Sequence, residues 1–489
     1  MRLSILLLST LLGSCALRSP ETHAALPQRP NLIFILADDL GYGELGCYGQ
    51  EQIRTPNIDA LAKQGMVFTQ AYAGAPVCAP SRCVLLTGRH LANAEIRGNK
   101  PARPEGQHPI SAEVPTVAML LRDAGYATAA MGKWGLGPVG STGDPNSKGF
   151  DLFYGYNCQL EAHSYYPDHL WRNERRIELN DGVAAVPRGT QEPGDPDFAR
   201  FYGTDYAPDS ILTEALDWIR EHRREPFFLY LPFVEPHLAM QPPASWVEAY
   251  PIEWDEAAYL GDHGYAPHPR PRAGYAAMIS DLDEHVGAIV GLVDDLGLSE
   301  NTLIVFTSDN GPTHDVGGVD TTFFNSAGPL RGRKGSVYEG GLRVPMIARW
   351  PGVVEEGSRS DHQICFQDWM PTAAEIVGIE FPAACDGISY MPTLTGKGQQ
   401  AAHDYLVWEF YGYGGLKAVR IGDWKAVQTG IHEGNREIEL YNLGADLAEQ
   451  HDLADLEPQV VARAREIFAT DRSVNPTFPM ASFDPPGDD

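Results

Sequence analysis

Asn31-Leu32-Ile33-Phe34-Ile35-Leu36-Ala37-Asp38-Asp39 is the stretch that decides the fold. A strand with one face in water alternates apolar and polar residues. One that is apolar throughout and stops abruptly at two carboxylates is buried on both faces, as in a sheet covered by helices on either side. The same grammar repeats downstream. Asn57 to Gln64 reads as a short helix stopped by Gly65, and Met66-Val67-Phe68-Thr69 then reads as extended. Thr116 to Ala124 is helical up to Gly125, with a strand following through Met131. Asp209 to Arg223 has helical spacing and precedes the strand Pro226 to Leu231, while the long helix Ala273 to Leu296 precedes Thr302 to Thr307. Strands alternating with helices predict an α/β fold with a mostly parallel sheet flanked by helices.

Two regions break this rhythm. Residues 138–208 are rich in Gly, Pro, Tyr and Asn with little periodicity, and are expected to form a long irregular insertion carrying function. After residue 365, short extended pieces (Tyr405–Phe410, Leu416–Arg420, Trp424–Gln428, Glu437–Leu443) are joined by turns and followed by an amphipathic helix at Pro458 to Thr470. These predict a smaller C-terminal antiparallel α+β subdomain. The expected division is a targeting segment at 1–26, a catalytic domain at 27–365 and the C-terminal subdomain at 366–489.

The balance of 37 basic against 65 acidic residues gives a formal net charge of −28 over 489 residues. That argues against general nucleic-acid binding, whose affinity comes from neutralising phosphates. An anionic substrate would need a local basic pocket inside an acidic shell. Met1-Arg2 followed by the apolar run Leu3 to Leu12 reads as a signal segment, too short for a membrane span. Leu12-Gly13-Ser14-Cys15 resembles a bacterial lipobox, in which Cys15 would be lipidated; cleavage near Ala16 or Ala24 is the alternative. Either reading exports the protein, to the periplasm or to the outer membrane as an anchored lipoprotein, and any membrane contact is through that lipid. Beyond Cys15 and Cys78, the pairing of Cys47, Cys83, Cys158, Cys365 and Cys385 cannot be deduced from spacing.

Polar residues stand just past the carboxyl ends of the expected strands. Asp38 and Asp39 follow the first, Lys133 another, His237 a third and Asp309-Asn310 a fourth. Ligands of open α/β sheets bind in the crevice outside those ends, so a convergent site is expected there. Asp38, Asp39, Asp309 and Asn310 offer only oxygen, which suits Ca²⁺, with Mg²⁺ as the alternative, rather than zinc.

Cys78-Ala79-Pro80-Ser81-Arg82 continues as Cys83-Val84-Leu85-Leu86-Thr87-Gly88-Arg89. This string resembles the signature of the type I, formylglycine-dependent sulfatases, an arylsulfatase-like family of the alkaline phosphatase superfamily. Gly132-Lys133-Trp134-Gly135-Leu136-Gly137, Glu235-Pro236-His237 and Lys334-Gly335-Ser336-Val337-Tyr338-Glu339-Gly340-Gly341 resemble further family motifs, in family order. The resemblance implies an alkaline-phosphatase-like fold and a sulfatase-maturating enzyme that oxidises Cys78 to formylglycine (3-oxoalanine). It implies that Cys78 joins Asp38, Asp39, Asp309 and Asn310 around the cation, while Arg82, Lys133, His237 and Lys334 neutralise the transferring group. One hydroxyl of the hydrated aldehyde would attack sulfur and expel the alcohol, and the other would then eliminate sulfate. Pro80 also sets Cys78 at the start of a helix, where backbone N–H groups favour anions.

Position 135 departs from the family pattern, which has a histidine there in contact with the formylglycine. His163 and His314 are candidates to replace it. Candidate substrate contacts are Arg97, Asn99, Lys100, His163, Tyr165, His314, Trp408 and Glu409, since aromatic faces beside hydrogen-bonding groups suit sugar rings. The expected reaction is hydrolysis of an organic sulfate ester, carried by a sulfated small molecule or glycan, to an alcohol and sulfate. Two rivals are a phosphodiesterase or phosphonate monoester hydrolase of the same superfamily, and a non-catalytic protein that binds sulfated glycans.

Overall fold

The computed structural model describes residues 29–186, 197–481 and 483–484, so the expected signal segment and Cys15 lie outside the described residues. The decisive stretch forms β1 (Asn31–Ala37), buried at every position. It lies parallel to both of its neighbours, β7 (Phe227–Pro232) and β8 (Thr302–Ser308). The sheet continues through β3 (Ala127–Lys133) and β4 (Leu152–Tyr156), each parallel to the strand before it. Beyond β8 come β9 (Arg343–Arg349), antiparallel, and β2 (Met66–Tyr72), which carries the short parallel β10 (Ser358–Ser360) and β11 (Ile364–Cys365).

The parallel strands need crossover helices, and the sequence supplies them where periodicity placed them: Pro56–Lys63, Val117–Asp123, Ala207–His222 and Pro271–Asp295. One apolar cluster covers each face of the sheet. Leu32, Phe34 and Leu36 face one side with Phe228 and Tyr230, whereas Ile33 and Ile35 face the other with Leu229 and Leu231.

The described residues of 138–208 (138–186 and 197–208) hold more regular structure than their composition suggests. Besides β4 it contains β5 (His169–Arg172) and β6 (Arg175–Glu178), which extend the sheet's edge as an antiparallel ribbon. The pattern is faint because β5 and β6 have four residues each, and β4 carries a glycine at its fourth position. That glycine is needed: a Cβ on Gly155 would lie 2.0 Å from the carbonyl oxygen of Gly132 on β3.

The smaller antiparallel sheet runs β12 (Leu406–Phe410), β13 (Leu416–Ile421), β14 (Trp424–Gln428) and β15 (Glu439–Asn442). The helix Pro458–Thr470 covers one face with Ala464, Ile467 and Phe468. Leu406, Trp408 and Phe410 point the other way, into the cluster that also holds Phe34 and Trp369. Cys47, Cys78, Cys83, Cys158, Cys365 and Cys385 are all free thiols.

Candidate active site

β1, β3, β7 and β8 end at one place, and their terminal polar residues converge there. Cys78 begins the helix Cys78–Thr87, which Gly88 closes in a left-handed conformation. Its Sγ is 3.6 Å from the Nζ of Lys133 and 3.6 Å from the Nζ of Lys334. Lys133 Nζ also donates to Asp38 Oδ2 at 2.5 Å, and Lys334 Nζ to Asp39 Oδ2 at 2.7 Å. Arg82, one helical turn after Cys78, donates twice to Asp309 Oδ2 (3.1 and 2.8 Å) and lies 3.3 Å from Asp38 Oδ2. Another of its nitrogens donates to the carbonyl of Lys133, tying the helix to the end of β3. Asp39 adopts a left-handed φ of +69°, a sparsely populated region for a residue with a side chain.

Three carboxylates are thus buried together. Burial pushes Asp309 up to about 7, and the neighbouring Asp38 adds to the rise. Burial acts on Asp38 in the same direction, but Lys133, His237, Arg82 and Lys334 hold its carboxyl well below the usual range. The residues fit a hard cation. Asn310 spends its Nδ2 on Asp39 Oδ1 at 2.8 Å, leaving its Oδ1 buried without a partner, as is Asp38 Oδ1. An unpartnered buried oxygen is costly, and these two, one on Asp38 itself, complete with Asp39 and Asp309 an all-oxygen set suited to Ca²⁺ or Mg²⁺. Donor atoms of Asp38, Asp39, Cys78 and His237 also lie within 4.8 Å of one another.

Cys78 as it stands is a poor nucleophile. Burial pushes its thiol up to about 12, and only the thiolate reacts. His237 Nδ1 is 2.6 Å from the carbonyl of Leu238, which can only accept, so Nδ1 carries the hydrogen. That leaves Nε2 toward Asp39 Oδ2, 3.6 Å away. His163 stacks on this ring.

Not every residue picked out from sequence lies here. His163 does, and His314 sits at the rim near Lys334, where its Nε2 is 3.4 Å from the hydroxyl of Tyr413. Arg97 is buried with its guanidinium 2.6 Å from Glu409, and Trp408 is buried with its Nε1 donating to Ala73. Neither presents a surface to a ligand, because both faces of β12 are covered, Trp408 being buried on one and Glu409 on the other. Tyr165 is likewise enclosed, its hydroxyl donating to the carbonyls of Val234 and His237. Asn99 accepts from the N–H of Ala79, and with Lys100 it lines a cavity of about 410 Å³ beside Val77. Phe410, Tyr411, Tyr413 and Phe478 complete that cavity's wall. The aromatic run that ends β12 and continues past it (Phe410, Tyr411, Tyr413) is the sequence signal for three of these; Phe478 has none.

The family model described as sulfatase matches residues 30–379, and one described as N-sulphoglucosamine sulphohydrolase, C-terminal, matches residues 333–466. The chain therefore belongs to the sulfatase family, and its class is that of the sulfuric ester hydrolases. An N-acetylgalactosamine-6-O-sulfatase of Bacteroides thetaiotaomicron is 30% identical, over 94% of this chain and 96% of its own. Human steryl-sulfatase is 31% identical, over 82% of this chain and 75% of its own. Among solved structures, Ps i-CgsB superposes with a TM-score of 0.75 at 28% identity, over 91% of this chain and 94% of that one. It has also been solved in complex with k-i-k-neocarrahexaose. A phosphonate monoester hydrolase of Agrobacterium radiobacter, 21% identical, shares the fold with a TM-score of 0.63 over 90% of this chain and 95% of that one. The fold is the alkaline-phosphatase-like one.

Proposed function

We propose that this protein hydrolyses a sulfate ester on a saccharide, using a formylglycine made from Cys78 beside a calcium ion. The observation that carries the reading is the pair of ammonium groups, Lys133 and Lys334, each 3.6 Å from Cys78 Sγ at a helix start. A cationic clamp preset around a developing negative charge is usually a large catalytic contribution. In this reading Arg82 fixes the end of β3, Lys133 and Lys334 receive the sulfuryl oxygens, and His237 turns its Nε2 toward the reacting group as an acceptor. Asp38, Asp39, Asp309 and the Oδ1 of Asn310 would hold the cation. When bound, it would polarise sulfate oxygens and favour ionisation of the reacting hydroxyl.

The saccharide part rests on the relatives, which include an N-acetylgalactosamine-6-O-sulfatase and a structure bound to a neocarrahexaose, and on the aromatic cavity beside Val77. We divide the chain at residue 365, the C-terminal subdomain (366–489) supplying Phe410, Tyr411, Tyr413 and Phe478 to that cavity. The leader at 1–26 is read as an export signal with Cys15 as a lipid site. A maturating enzyme acting on Cys78 is the partner this chemistry needs.

Protein co-expressed with a maturase should show the formylglycine mass at position 78, and should release sulfate from members of a panel of defined sulfated saccharides. Cys78→Ala should keep the fold and lose turnover. Unmodified Cys78 in active protein would sink the nucleophile assignment. A phosphonate or phosphodiester reading is favoured only by the shared fold; faster turnover of an aryl phosphate diester than of the aryl sulfate would establish it instead.

A further inference from the structure

Position 135 has no side chain, yet its space is filled. A Cβ built on Gly135 would lie 2.0 Å from Nε2 of Gln159, and Gly135 itself has a left-handed φ of +105°. Another residue's carboxamide therefore occupies the place into which a side chain at 135 would project. Gln159 is 4% exposed, so its carboxamide is buried against Gly135, two residues from Lys133. Its Oε1 is buried with no partner, and its Nε2 makes only a 3.5 Å contact with the carbonyl of Trp134.

The loop that carries it is anchored on both sides of the clamp. It leaves the end of β4, whose Tyr156 carbonyl accepts from the N–H of Trp134, next to Lys133. Four residues past Gln159, His163 stacks on His237. Asn157, at the loop's start, is also buried with neither side-chain atom partnered. A buried carboxamide with unmet hydrogen-bonding atoms is costly to keep and calls for a partner.

We propose that Gln159 is a positioning residue of this active site: its carboxamide fills the space over Gly135, and its Oε1 accepts a hydrogen bond from the reacting hydroxyl beside Cys78. A carboxamide neither gains nor loses a proton in the working pH range, so it orients the hydroxyl without itself taking the proton. The inference rests on the sulfatase reading above.

The test compares Gln159→Leu, which keeps the volume but not the hydrogen bonds, and Gln159→Glu, which keeps an acceptor but adds a titrating group. Each is assayed on a sulfated saccharide and on an aryl sulfate, with Tm and the formylglycine content at position 78 measured alongside. For Gln159→Leu we expect kcat to fall about tenfold or more on both substrates, with KM, Tm and formylglycine content unchanged. For Gln159→Glu we expect partial activity with one new ionisation in the pH profile. Wild-type kcat in the leucine variant would overturn the proposal by assigning Gln159 to packing. A loss confined to the saccharide would overturn it by making Gln159 a sugar contact. Absence of sulfate release by the parent enzyme from either substrate would instead defeat the sulfatase reading, and this inference with it.

Discussion

His163 lies flat against His237, with ring centroids 4.9 Å apart and planes 17° from parallel. Burial pushes both rings well below the usual histidine range, with Lys133 and Lys334 nearby adding to the effect. Two neutral rings can stack without charge repulsion, and the pair fixes the plane of His237 while Leu238 fixes its Nδ1–H.

The stack predicts graded effects. Replacing His237 by Ala should lower kcat/KM by about 100-fold or more, as for loss of a preset polar group at the reacting centre. His163→Phe keeps a flat ring against His237 and should retain most activity, whereas His163→Ala should lose about tenfold by freeing the imidazole to tilt. Steady-state kinetics at several pH values would check the series. Equal loss in the Phe and Ala variants would show that His163 contributes its nitrogens rather than its face.

The unpartnered oxygens of Asp38 and Asn310 lead to a prediction about metal. A cation that binds only the folded chain adds about 2.7 kcal/mol of stability at ~100 times its Kd. Adding Ca²⁺ to chelator-treated protein should therefore raise Tm and restore activity better than Zn²⁺ does. Asn310→Leu should weaken the calcium effect on both readouts. The reverse order of rescue by the two metals would overturn the oxygen-cage assignment.

Much of this was legible because burial and chemistry wrote the same residues. β1 had to be apolar throughout to sit between two helical layers, and its end had to be Asp38-Asp39 to reach the site. The signature around Cys78 and the strand-end residues Lys133 and His237 were visible for the same reason. Side-chain direction past a strand end was not. Trp408 and Tyr411 are three residues apart, yet Trp408 is buried on β12 whereas Tyr411, one residue past its end, lines the cavity. Gln159 was also invisible, since its role depends on a glycine 24 residues earlier whose space it fills.

Arg97 offers a test of that distinction. Its Nη1 is 2.6 Å from Glu409 Oε1, both side chains being 1% exposed, and Glu409 is shared with Lys417 and Arg472. Removing one partner of a buried pair leaves an uncompensated charge, typically costing about 3 kcal/mol, and here somewhat less because Glu409 keeps two cations. Arg97→Met should therefore unfold at lower denaturant with KM for substrate unchanged in the folded enzyme. A raised KM at unchanged stability would return Arg97 to the substrate site.

His268 sets a pH limit on stability. It is buried under the start of the long helix Pro271–Asp295, and its Nδ1 accepts from the N–H of Arg270 at 3.1 Å. Burial pushes it down to about 4 from an ordinary value of 6.5. The unfolded chain thus takes up the proton more readily than the folded one. The stability tied to neutral His268 is complete above pH 6.5 and is lost as pH falls through 6.5 toward 4. At the lower end that loss is on the order of 3 kcal/mol. Denaturant titrations at pH 7.5 and 4.5 should show the drop, and His268→Gln, which cannot protonate, should flatten it by about that amount. An unchanged pH slope in the variant would assign acid sensitivity to the buried carboxylates instead.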